Sequence, residues 1–389
     1  MITHILNLLS KLIEFRSVTP EGQEALEFIA NLLEHEGFTC ILKTFGPKGE
    51  VANLYAHISG NFPTSAPNIC FAGHIDVVHP LNEESWKYDP FEMTIDGDKV
   101  YGRGIVDMKG AIACALTAAQ DFLRRHKNFK GSISFLLTAD EEGDRTYGTK
   151  EMLKYIDLLG HKIDFCILGE PTTRKKIGDT IKIGRRGSIN FDLKIQGKQG
   201  HVAYPERAIN PISILIPILN ELDNTVLDYG SDFFQKSNLE ITSVQCSNFG
   251  PNPVNNIIPD RAEAKFNIRF NDLHTPESLN DKINAIISKY SDIFDCKYSC
   301  GSSSFIQPVS DGMGYFAHIV EQETSIMPEF NTGGGVSDAV FIHKYAEVVE
   351  FGLNCDTAHK INENGKICDL QTLYNVYYST LIKFLLDLG

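Results

Sequence analysis

A histidine and an aspartate lie two positions apart at the end of an apolar run, in "CFAGHIDVV". They are His74 and Asp76, and residues i and i+2 of a strand point to the same side. Imidazole is a common ligand of zinc, and a ligating histidine usually donates its second ring N–H to a carboxylate. The spacing therefore predicts that His74 binds a metal and that Asp76 is its hydrogen-bonding partner. The alternative is that Asp76 caps a turn near Pro80.

Four more carboxylates lie at the ends of strand-like segments or in a loop before a helix. They are Glu141 and Glu142 after "SISFLLTAD", Glu170 at the end of "FCILGE", and Asp107 in "YGRGIVDMKG". In open α/β sheets, ligands bind at the edge formed by the carboxyl ends of the strands. Carboxylates that converge there raise one another's pKa unless a cation neutralises them. Together with His74 they suit zinc or a related divalent cation, and an oxygen-rich shell tolerates two ions.

The elements that must position these residues alternate between strands and helices. The segments "NICFAG", "SISFLLTAD" and "IDFCILGE" predict strands, and "DMKGAIACALTAAQDFLRR" predicts a helix. This alternation is typical of an α/β layer with a mixed, largely parallel sheet. From about residue 187 the pattern becomes strand-helix-strand-strand-helix with half-exposed strands such as "SINFDLKIQG". We therefore predict a catalytic domain formed by 1–186 and 298–389, with an α+β domain, 187–297, inserted into it.

Composition restricts the class of protein. The 389 residues carry a net charge of -14, which argues against nucleic-acid and anionic-membrane partners. The N-terminal segment has helical apolar spacing broken by polar residues, so we expect an amphipathic helix and no signal peptide. No apolar run is long enough for a membrane span. Nine scattered cysteines indicate reduced thiols, and we expect a cytoplasmic enzyme.

Three other functions are conceivable for the same residues. The Gly-x-Gly of "YGRGIVDMKG" lacks a correctly spaced third glycine, which argues against a dinucleotide-dependent oxidoreductase. Glu141 and Glu142 are adjacent and cannot easily flank one glycosidic bond from two sides, which argues against a glycosidase. A metal-binding protein without catalytic activity is the remaining alternative, and it would usually have lost Glu141 or Asp107.

Five motifs together resemble the dizinc aminoacylase/carboxypeptidase G group of metallopeptidases: "GHIDVV", "GRGIVDMKG", "TADEEG", "GEP" and "AHKINE". The resemblance covers nearly the whole chain, and "IKIGRRGS", "GKQGHVAYP", "NNIIP" and "FNIRF" are similar to its succinyl-diaminopimelate desuccinylase family. It implies a zinc-peptidase-like catalytic domain and an inserted, ferredoxin-like dimerisation domain. It also implies hydrolysis of an N-succinyl amino acid in the biosynthesis of lysine and cell-wall precursors.

The resemblance implies a particular set of metal ligands for two Zn²⁺ ions per subunit, with Co²⁺ able to substitute. The first ion would be held by His74 and Glu170, the second by Glu142 and His359, and both by Asp107. Glu141 would be the general acid/base for hydrolysis by water activated at the metal pair. The peptide bond after Asp107 would be cis. His359 is a lone histidine to which the residue pattern alone assigns no role.

The resemblance also implies how substrate and partner subunit are bound. The residues around the substrate carboxylates would be Lys182, Arg185, Ser188, Asn255, Asn256, Arg269 and Gly335. Arginine's planar fork suits carboxylates. His201 would reach the active site of the other subunit in a homodimer and donate a hydrogen bond to the oxyanion.

Two stretches depart from the desuccinylase pattern. In "TGGGVSD", Gly333 and Val336 replace hydroxyl-bearing residues, and Cys355 stands where asparagine is common. Val336 cannot donate a hydrogen bond to a substrate carboxylate. These departures leave the acyl group open, and the alternative is an acetylornithine deacetylase or a related N-acyl amino acid amidohydrolase.

Overall fold

The computed structural model describes residues 1–62, 66–247 and 254–387. The chain forms two compact units. The first comprises Met1–Ile183, Gln307–Asn331 and Ser337–Gly389, and the second comprises Gly184–Ile306 and Thr332–Val336. The segment predicted to be inserted, residues 187–297, lies within the second unit.

Helices and strands alternate along most of the chain. The helices are α1 (Ile2–Glu14), α2 (Gln23–His35), α3 (Gly110–Arg125), α4 (Thr149–Leu158), α5 (Pro211–Asp223), α6 (Pro276–Ile287), α7 (Asp311–Thr324), α8 (Ala339–Ile342) and α9 (Ile367–Ile382), with shorter helical turns at Glu83–Ser85, Ile105–Lys109, Pro205–Arg207 and Lys383–Asp387. The strands are β1 (Thr39–Phe45), β2 (Val51–Ser59), β3 (Asn68–His74), β4 (Thr94–Asp96), β5 (Lys99–Tyr101), β6 (Ser132–Thr138), β7 (Phe165–Leu168), β8 (Thr180–Lys182), β9 (Gly184–Arg185), β10 (Gly187–Gln196), β11 (Gly200–His201), β12 (Asn238–Cys246), β13 (Ile257–Ile258), β14 (Arg261–Phe270), β15 (Phe294–Ser302), β16 (Phe305–Ile306), β17 (Glu329–Asn331), β18 (Glu347–Glu350) and β19 (Asn364–Lys366).

The first unit is built on an eight-stranded sheet of order β1-β2-β6-β3-β7-β18-β8-β17. Its centre is parallel, because β6, β3, β7 and β18 all run in the same direction. The pairs β1–β2, β2–β6 and β18–β8 are antiparallel. The predicted α/β class with a mixed, largely parallel sheet is therefore confirmed.

The central strands are apolar on both faces because both faces are covered. In β3 every residue after Asn68 is buried, which is why the sequence shows an almost unbroken apolar run. Helix α3 is buried from Gly110 through Gln120, and its small side chains allow it to pack closely in the core. This packing fixes the end of β3, which carries His74, against the helical turn that carries Asp107.

The N-terminal segment forms α1, whose Ile5, Leu9 and Leu12 are fully buried in the same core. This is the amphipathic helix that the apolar spacing predicts. Across residues 1–62, 66–247 and 254–387, no helix combines the length and apolar character that crossing a membrane requires.

The second unit contains a four-stranded antiparallel sheet of order β12-β14-β10-β15. The chain passes through β10, α5, β12, β14, α6 and β15 in turn, which is the ferredoxin-like βαββαβ arrangement. Burial along most of β10 alternates because one face packs on a core that includes Phe191 and Phe266, whose rings stack 5.0 Å apart. The predicted α+β class of this segment is confirmed, and its role in dimerisation stays a prediction.

Candidate active site

Three neighbouring parallel strands end at one edge of the central sheet and bring distant residues together. His74 is the last residue of β3. Glu141 and Glu142 follow the end of β6, and Glu170 follows the end of β7. The carboxyl ends of parallel strands share one edge, which is why segments separated by tens of residues meet there.

Two further side chains reach this edge from loops. Asp107 lies in the helical turn Ile105–Lys109 before α3, where its own backbone and that of Met108 are non-helical. The Asp107–Met108 peptide bond is cis, as the resemblance implies. His359 lies in the loop between β18 and β19, has a φ of 60°, and leaves 51% of its side chain exposed.

The Asp107 carboxylate lies between two imidazoles. Its Oδ1 is 3.2 Å from Nε2 of His74, and its Oδ2 is 3.2 Å from Nε2 of His359. Glu170 Oε1 lies 3.9 Å from Nε2 of His74, and Glu142 Oε1 lies 2.7 Å from Nε2 of His359. Two groups of potential metal ligands result, His74–Asp107–Glu170 and Asp107–Glu142–His359. We call them the donor groups, and the potential ligand atoms of each lie within 4.8 Å of one another. These are the groupings that the resemblance implies, and their role as metal ligands stays a prediction.

The charges in these groups suit a cation. Burial lowers the pKa of His74, but the hydrogen bond with Asp107 and the charge of Asp76 outweigh it and raise this pKa well above its usual value. Hydrogen bonds with Asp107 and Glu142 raise the pKa of His359 to about 10. Burial opposes ionisation of Asp107, yet the two histidines hold its pKa below the usual range. The carboxylates therefore favour positive charge at both imidazoles, and a divalent cation bound at the same atoms would supply that charge.

The donor set fits zinc or a similar ion. Imidazole nitrogens and carboxylate oxygens are its usual ligands, and a carboxylate that offers one oxygen to each of two groups can serve two ions at once. His74 is almost completely buried and Asp76 is fully buried, so the site is largely closed on the side of the sheet.

Asp76 has a different contact from the one predicted. Nδ1 of His74 lies 2.9 Å from the backbone carbonyl oxygen of Asp76, whereas the nearest Asp76 carboxylate oxygen is 3.7 Å away. The carboxylate instead accepts hydrogen bonds from the backbone N–H groups of Glu141, at 3.3 Å, and Glu142, at 3.0 Å. The predicted hydrogen bond between the His74 ring and the Asp76 carboxylate is therefore wrong, because the ring contacts the backbone carbonyl oxygen of Asp76 instead. β3 ends at His74, so Asp76 lies beyond the strand; its carbonyl oxygen is nearer the ring, and its side chain holds the Glu141–Glu142 segment.

Glu141 lies beside the two donor groups without belonging to either. Its side chain is 10% exposed, and Oε1 is 3.7 Å from Nη1 of Arg145. Burial, followed by the charge of Glu170, raises the pKa of Glu141 well above its usual value. A carboxylate with a raised pKa can accept a proton and release it again near neutral pH.

Arg145 and Asp338 are side chains near Glu141 that the sequence analysis did not single out. Arg145 has a φ of 52°, and its charge lowers the pKa of Asp338, which burial nevertheless raises to about 6. Arg145 follows "TADEEG" within the same loop and Asp338 follows "TGGGVS" directly. Their positions beside these two motifs are the sequence feature that could have identified Arg145 and Asp338.

The predicted substrate-binding residues divide between the two units. In the first unit, Lys182 ends β8 opposite Glu350 and is 8% exposed. In the second unit, Arg185 donates to the carbonyl oxygen of Gly333 at 3.4 Å, and Gly335 is exposed in the same glycine-rich segment.

The remaining five predicted residues lie at two places within the second unit. Ser188 on β10 lies opposite Arg269 on β14. His201 on β11 is exposed, and the next residue, Val202, donates to the carbonyl oxygen of Asn256 at 3.2 Å. Asn255 and Asn256 form the exposed turn before β13. The predicted residues of the second unit are thus clustered locally, and their contact with substrate stays a prediction.

Solved structures share this fold. An M20 family metallo-carboxypeptidase, Sso-CP2 from Sulfolobus solfataricus, superposes with a TM-score of 0.79 at 18% identity, covering 97% of this chain and 98% of that chain. The Bacillus subtilis YXEP protein, described as a dinuclear metal binding peptidase from the M20 family, superposes with a TM-score of 0.70 at 18% identity, covering 98% of each. At these identities the likeness concerns the fold.

Relatives of known name are much more similar in sequence. The succinyl-diaminopimelate desuccinylase of Orientia tsutsugamushi (strain Ikeda) is 52% identical over 383 residues, 98% of this chain and 97% of the relative. The protein of the same name from Rickettsia felis is 53% identical over 387 residues, 98% of this chain and 100% of the relative. The profile of peptidase family M20/M25/M40 matches residues 70–383, a span that contains both donor groups. On the strength of that match and of these relatives, the chain belongs to peptidase family M20/M25/M40.

Proposed function

We propose that this protein is a dizinc amidohydrolase that cleaves N-succinyl-L,L-2,6-diaminopimelate to succinate and L,L-diaminopimelate. The observation that carries the proposal is the Asp107 carboxylate, whose two oxygens face two different imidazoles in two adjoining donor groups. The substrate is supported by relatives named succinyl-diaminopimelate desuccinylase, which are 52% identical over nearly the full chain. The reaction belongs to the biosynthesis of lysine and of cell-wall precursors.

The metal pair would be held by the chain's own carboxylates and imidazoles. His74 and Glu170 would bind one Zn²⁺, Glu142 and His359 would bind the other, and Asp107 would bind both. Co²⁺ has similar ligand preferences and would substitute. When bound, the two cations would supply Lewis acidity to the scissile carbonyl and make the attacking water more acidic.

Glu141 would move the proton. It lies next to a ligand without being part of either group, and its raised pKa suits a proton acceptor near neutral pH. As the water oxygen forms its bond to the amide carbon, Glu141 takes a proton from it. The C–N bond then breaks, and Glu141 delivers the proton to the departing amine. Asp76 holds Glu141 and Glu142 through their backbone amides, so it would fix the distance between base and ligand.

Basic and hydroxyl side chains would recognise the anionic substrate. We propose that Lys182, Arg185 and Arg269 bind its carboxylates, with Ser188, Asn255, Asn256 and Gly335 contributing further contacts. The net charge of -14 and the reduced thiols suit a cytoplasmic enzyme. We also propose that the second unit forms a homodimer, in which His201 serves the other subunit.

The second candidate function is deacetylation of acetylornithine or a related N-acyl amino acid. Gly333 and Val336 favour it to the extent that neither side chain can donate a hydrogen bond to the terminal carboxylate of a succinyl group. Arg185 contacts the carbonyl oxygen of Gly333 and so supplies a cation beside this segment. For this reason we prefer the succinylated substrate.

The proposal predicts a metal-dependent preference for the succinylated substrate. On zinc-loaded protein, kcat/KM for N-succinyl-L,L-diaminopimelate should exceed that for N-acetylornithine by about 10–100-fold, the equivalent of one charged hydrogen bond. A chelator should abolish the activity, and Zn²⁺ or Co²⁺ should restore it. A preference for N-acetylornithine would select the second candidate, and full turnover by metal-free protein would reject both.

The neighbours Glu141 and Glu142 should behave differently when changed in the same way. Glu141→Gln should keep both metals and lose about 10²–10⁴ in kcat, because it removes the proton acceptor. Glu142→Gln, the matched control, should lose metal as well as activity. Metal content by elemental analysis alongside kcat separates the two outcomes, and loss of metal in Glu141→Gln would exchange the assigned roles.

Asp76→Asn should lower metal affinity and kcat by roughly 10–100-fold. Asp76 accepts hydrogen bonds from the backbone N–H groups of Glu141 and Glu142, and in the variant one of these N–H groups would face an NH₂ group. The control is Asp140→Asn, which alters a buried carboxylate of the same loop whose amide partner is Tyr147. Equal metal affinity in the wild type and Asp76→Asn, measured by chelator competition, would show that the Asp76 contact is not needed.

His201→Ala should reduce kcat by about 10²–10³ with little change in KM, as expected for a donor to the oxyanion. If His201 acts in the other subunit, mixing His201→Ala with Glu141→Gln protein should restore partial activity, since one site per heterodimer would be intact. A mixture of Glu141→Gln with Glu142→Gln is the control that cannot recover. Demonstrated subunit exchange without recovered activity would place His201 in its own subunit or outside the site.

A further inference from the structure

Glu363 is a fully buried carboxylate outside both donor groups, and its contacts converge on the turn that carries Asp107. Oε2 accepts hydrogen bonds from Nη1 of Arg103 and the backbone N–H of Gly104, both at 2.9 Å. Oε1 accepts from the backbone N–H of Val106 at 2.9 Å and from that of Asp107 at 3.3 Å. One side chain therefore binds almost every amide of the 104–107 segment.

The backbone around Glu363 makes the same connection. Its carbonyl oxygen accepts a hydrogen bond from the N–H of Gly102 at 3.1 Å. Strand β19, which begins at the next residue, pairs with β5, which ends just before that glycine. Glu363 thus lies where the loop carrying His359 meets the turn carrying Asp107.

Against burial, which raises the pKa of Glu363 to about 7, Arg103 favours the charged carboxylate. It is 1% exposed, its guanidinium lies 4.9 Å from the centre of the Trp86 ring, and it is the sole cationic side chain whose hydrogen bond to Glu363 is resolved among the described residues. A buried carboxylate that has both a cation and several amide donors is strongly held, whereas removing its charge leaves those donors unsatisfied.

From these contacts we propose that Glu363 is a positioning residue for the metal pair, an inference that rests on the proposed dizinc function. It holds the peptide groups on either side of Asp107 and so directs the Asp107 carboxylate between His74 and His359. It also anchors the loop in which His359, four residues earlier, is half-exposed.

The two donor groups should depend on Glu363 to different degrees. The group of His74 and Glu170 is built on the ends of β3 and β7 in the central sheet. In the group of Glu142 and His359, the histidine belongs to the loop that Glu363 anchors. Loss of the Glu363 carboxylate should therefore weaken binding of one metal equivalent more than the other.

Glu363→Gln tests this with little change in side-chain shape. The amide oxygen can still accept from two donors, but the NH₂ group must face the other two. On metal-free protein titrated with Co²⁺ and then with Zn²⁺ in competition with a chelator, we expect one metal equivalent to lose about 10–100-fold in affinity and the other to change less. Hydrogen exchange of a peptide that contains residues 104–107 should become faster in the metal-free variant. Neither readout needs substrate.

The matched control is Asp228→Asn in the second unit. Asp228 is also a buried carboxylate that holds a loop, through the backbone N–H groups of Gly230 and Ser237 and the side chains of Asn271 and His274. Its side chain is 6% exposed. This variant should be destabilised without any change in either metal affinity, which separates positioning of the metal ligands from a general loss of stability.

Each outcome decides one question. Two equivalents bound by the wild type with a selective loss in Glu363→Gln support the proposal. Two equivalents bound with equal affinity by the wild type and a folded Glu363→Gln variant overturn it and leave the dizinc function intact. Fewer than two equivalents in the wild type would overturn the dizinc function itself. Should Glu363→Gln not fold, Glu363→Asp replaces it: the charge remains but the shorter side chain cannot reach all four donors, and unchanged affinity in that folded variant rejects the proposal.

Discussion

Electrostatic repulsion among carboxylates is the constraint on which the candidate site depends. Asp107, Glu142 and Glu170 bring three negative charges into two groups that share one member, and Asp76 and Glu141 lie beside them. Against the effect of burial, these carboxylates raise the pKa of His74 and His359, and the two histidines lower the pKa of Asp107. Such an arrangement is stable only with positive charge at its centre, which is why the residue types point to cations before any resemblance is considered.

The sheet creates this concentration of charge through its direction of pairing. β6, β3 and β7 are parallel neighbours, so the residues that follow each strand must meet at one edge. The strands themselves are apolar and buried, and polar side chains are therefore confined to their ends. His74, Glu141, Glu142 and Glu170 follow or end strands of the buried sheet. Asp107 and His359 instead depend on loops held by hydrogen bonds.

These origins explain what the sequence could predict. Apolar runs and their spacing indicated the α/β sheet, the inserted α+β segment and the amphipathic first helix, because periodic burial leaves a direct trace in sequence. The strand-end carboxylates and His74 could be found in the same way. His359 could not, because a lone histidine in a loop has no pattern of its own, and the motif resemblance supplied it.

Contacts between loops were beyond sequence reasoning for a physical reason. The spacing of His74 and Asp76 correctly indicated that the two residues interact, but whether a ring nitrogen meets a carboxylate or a carbonyl depends on a shift of less than one residue's width. Glu363 belongs to the quoted "AHKINE" motif, yet its partners lie more than 250 positions away in the chain. No local pattern encodes such a pairing.

The way in which the second unit leaves the first has a consequence for how this architecture can change. Ile183, the last residue before the insertion, accepts a hydrogen bond from the N–H of Gln307, the first residue after it, at 3.0 Å, and donates to the carbonyl oxygen of Asn331 at 3.1 Å. The chain thus leaves and returns at almost one point. Because the entropy cost of closing a loop rises only slowly with its length, a longer insertion adds little to the cost of closing the sheet. The inserted segment can therefore change in length and surface while the sheet beneath the carboxylate edge stays as it is.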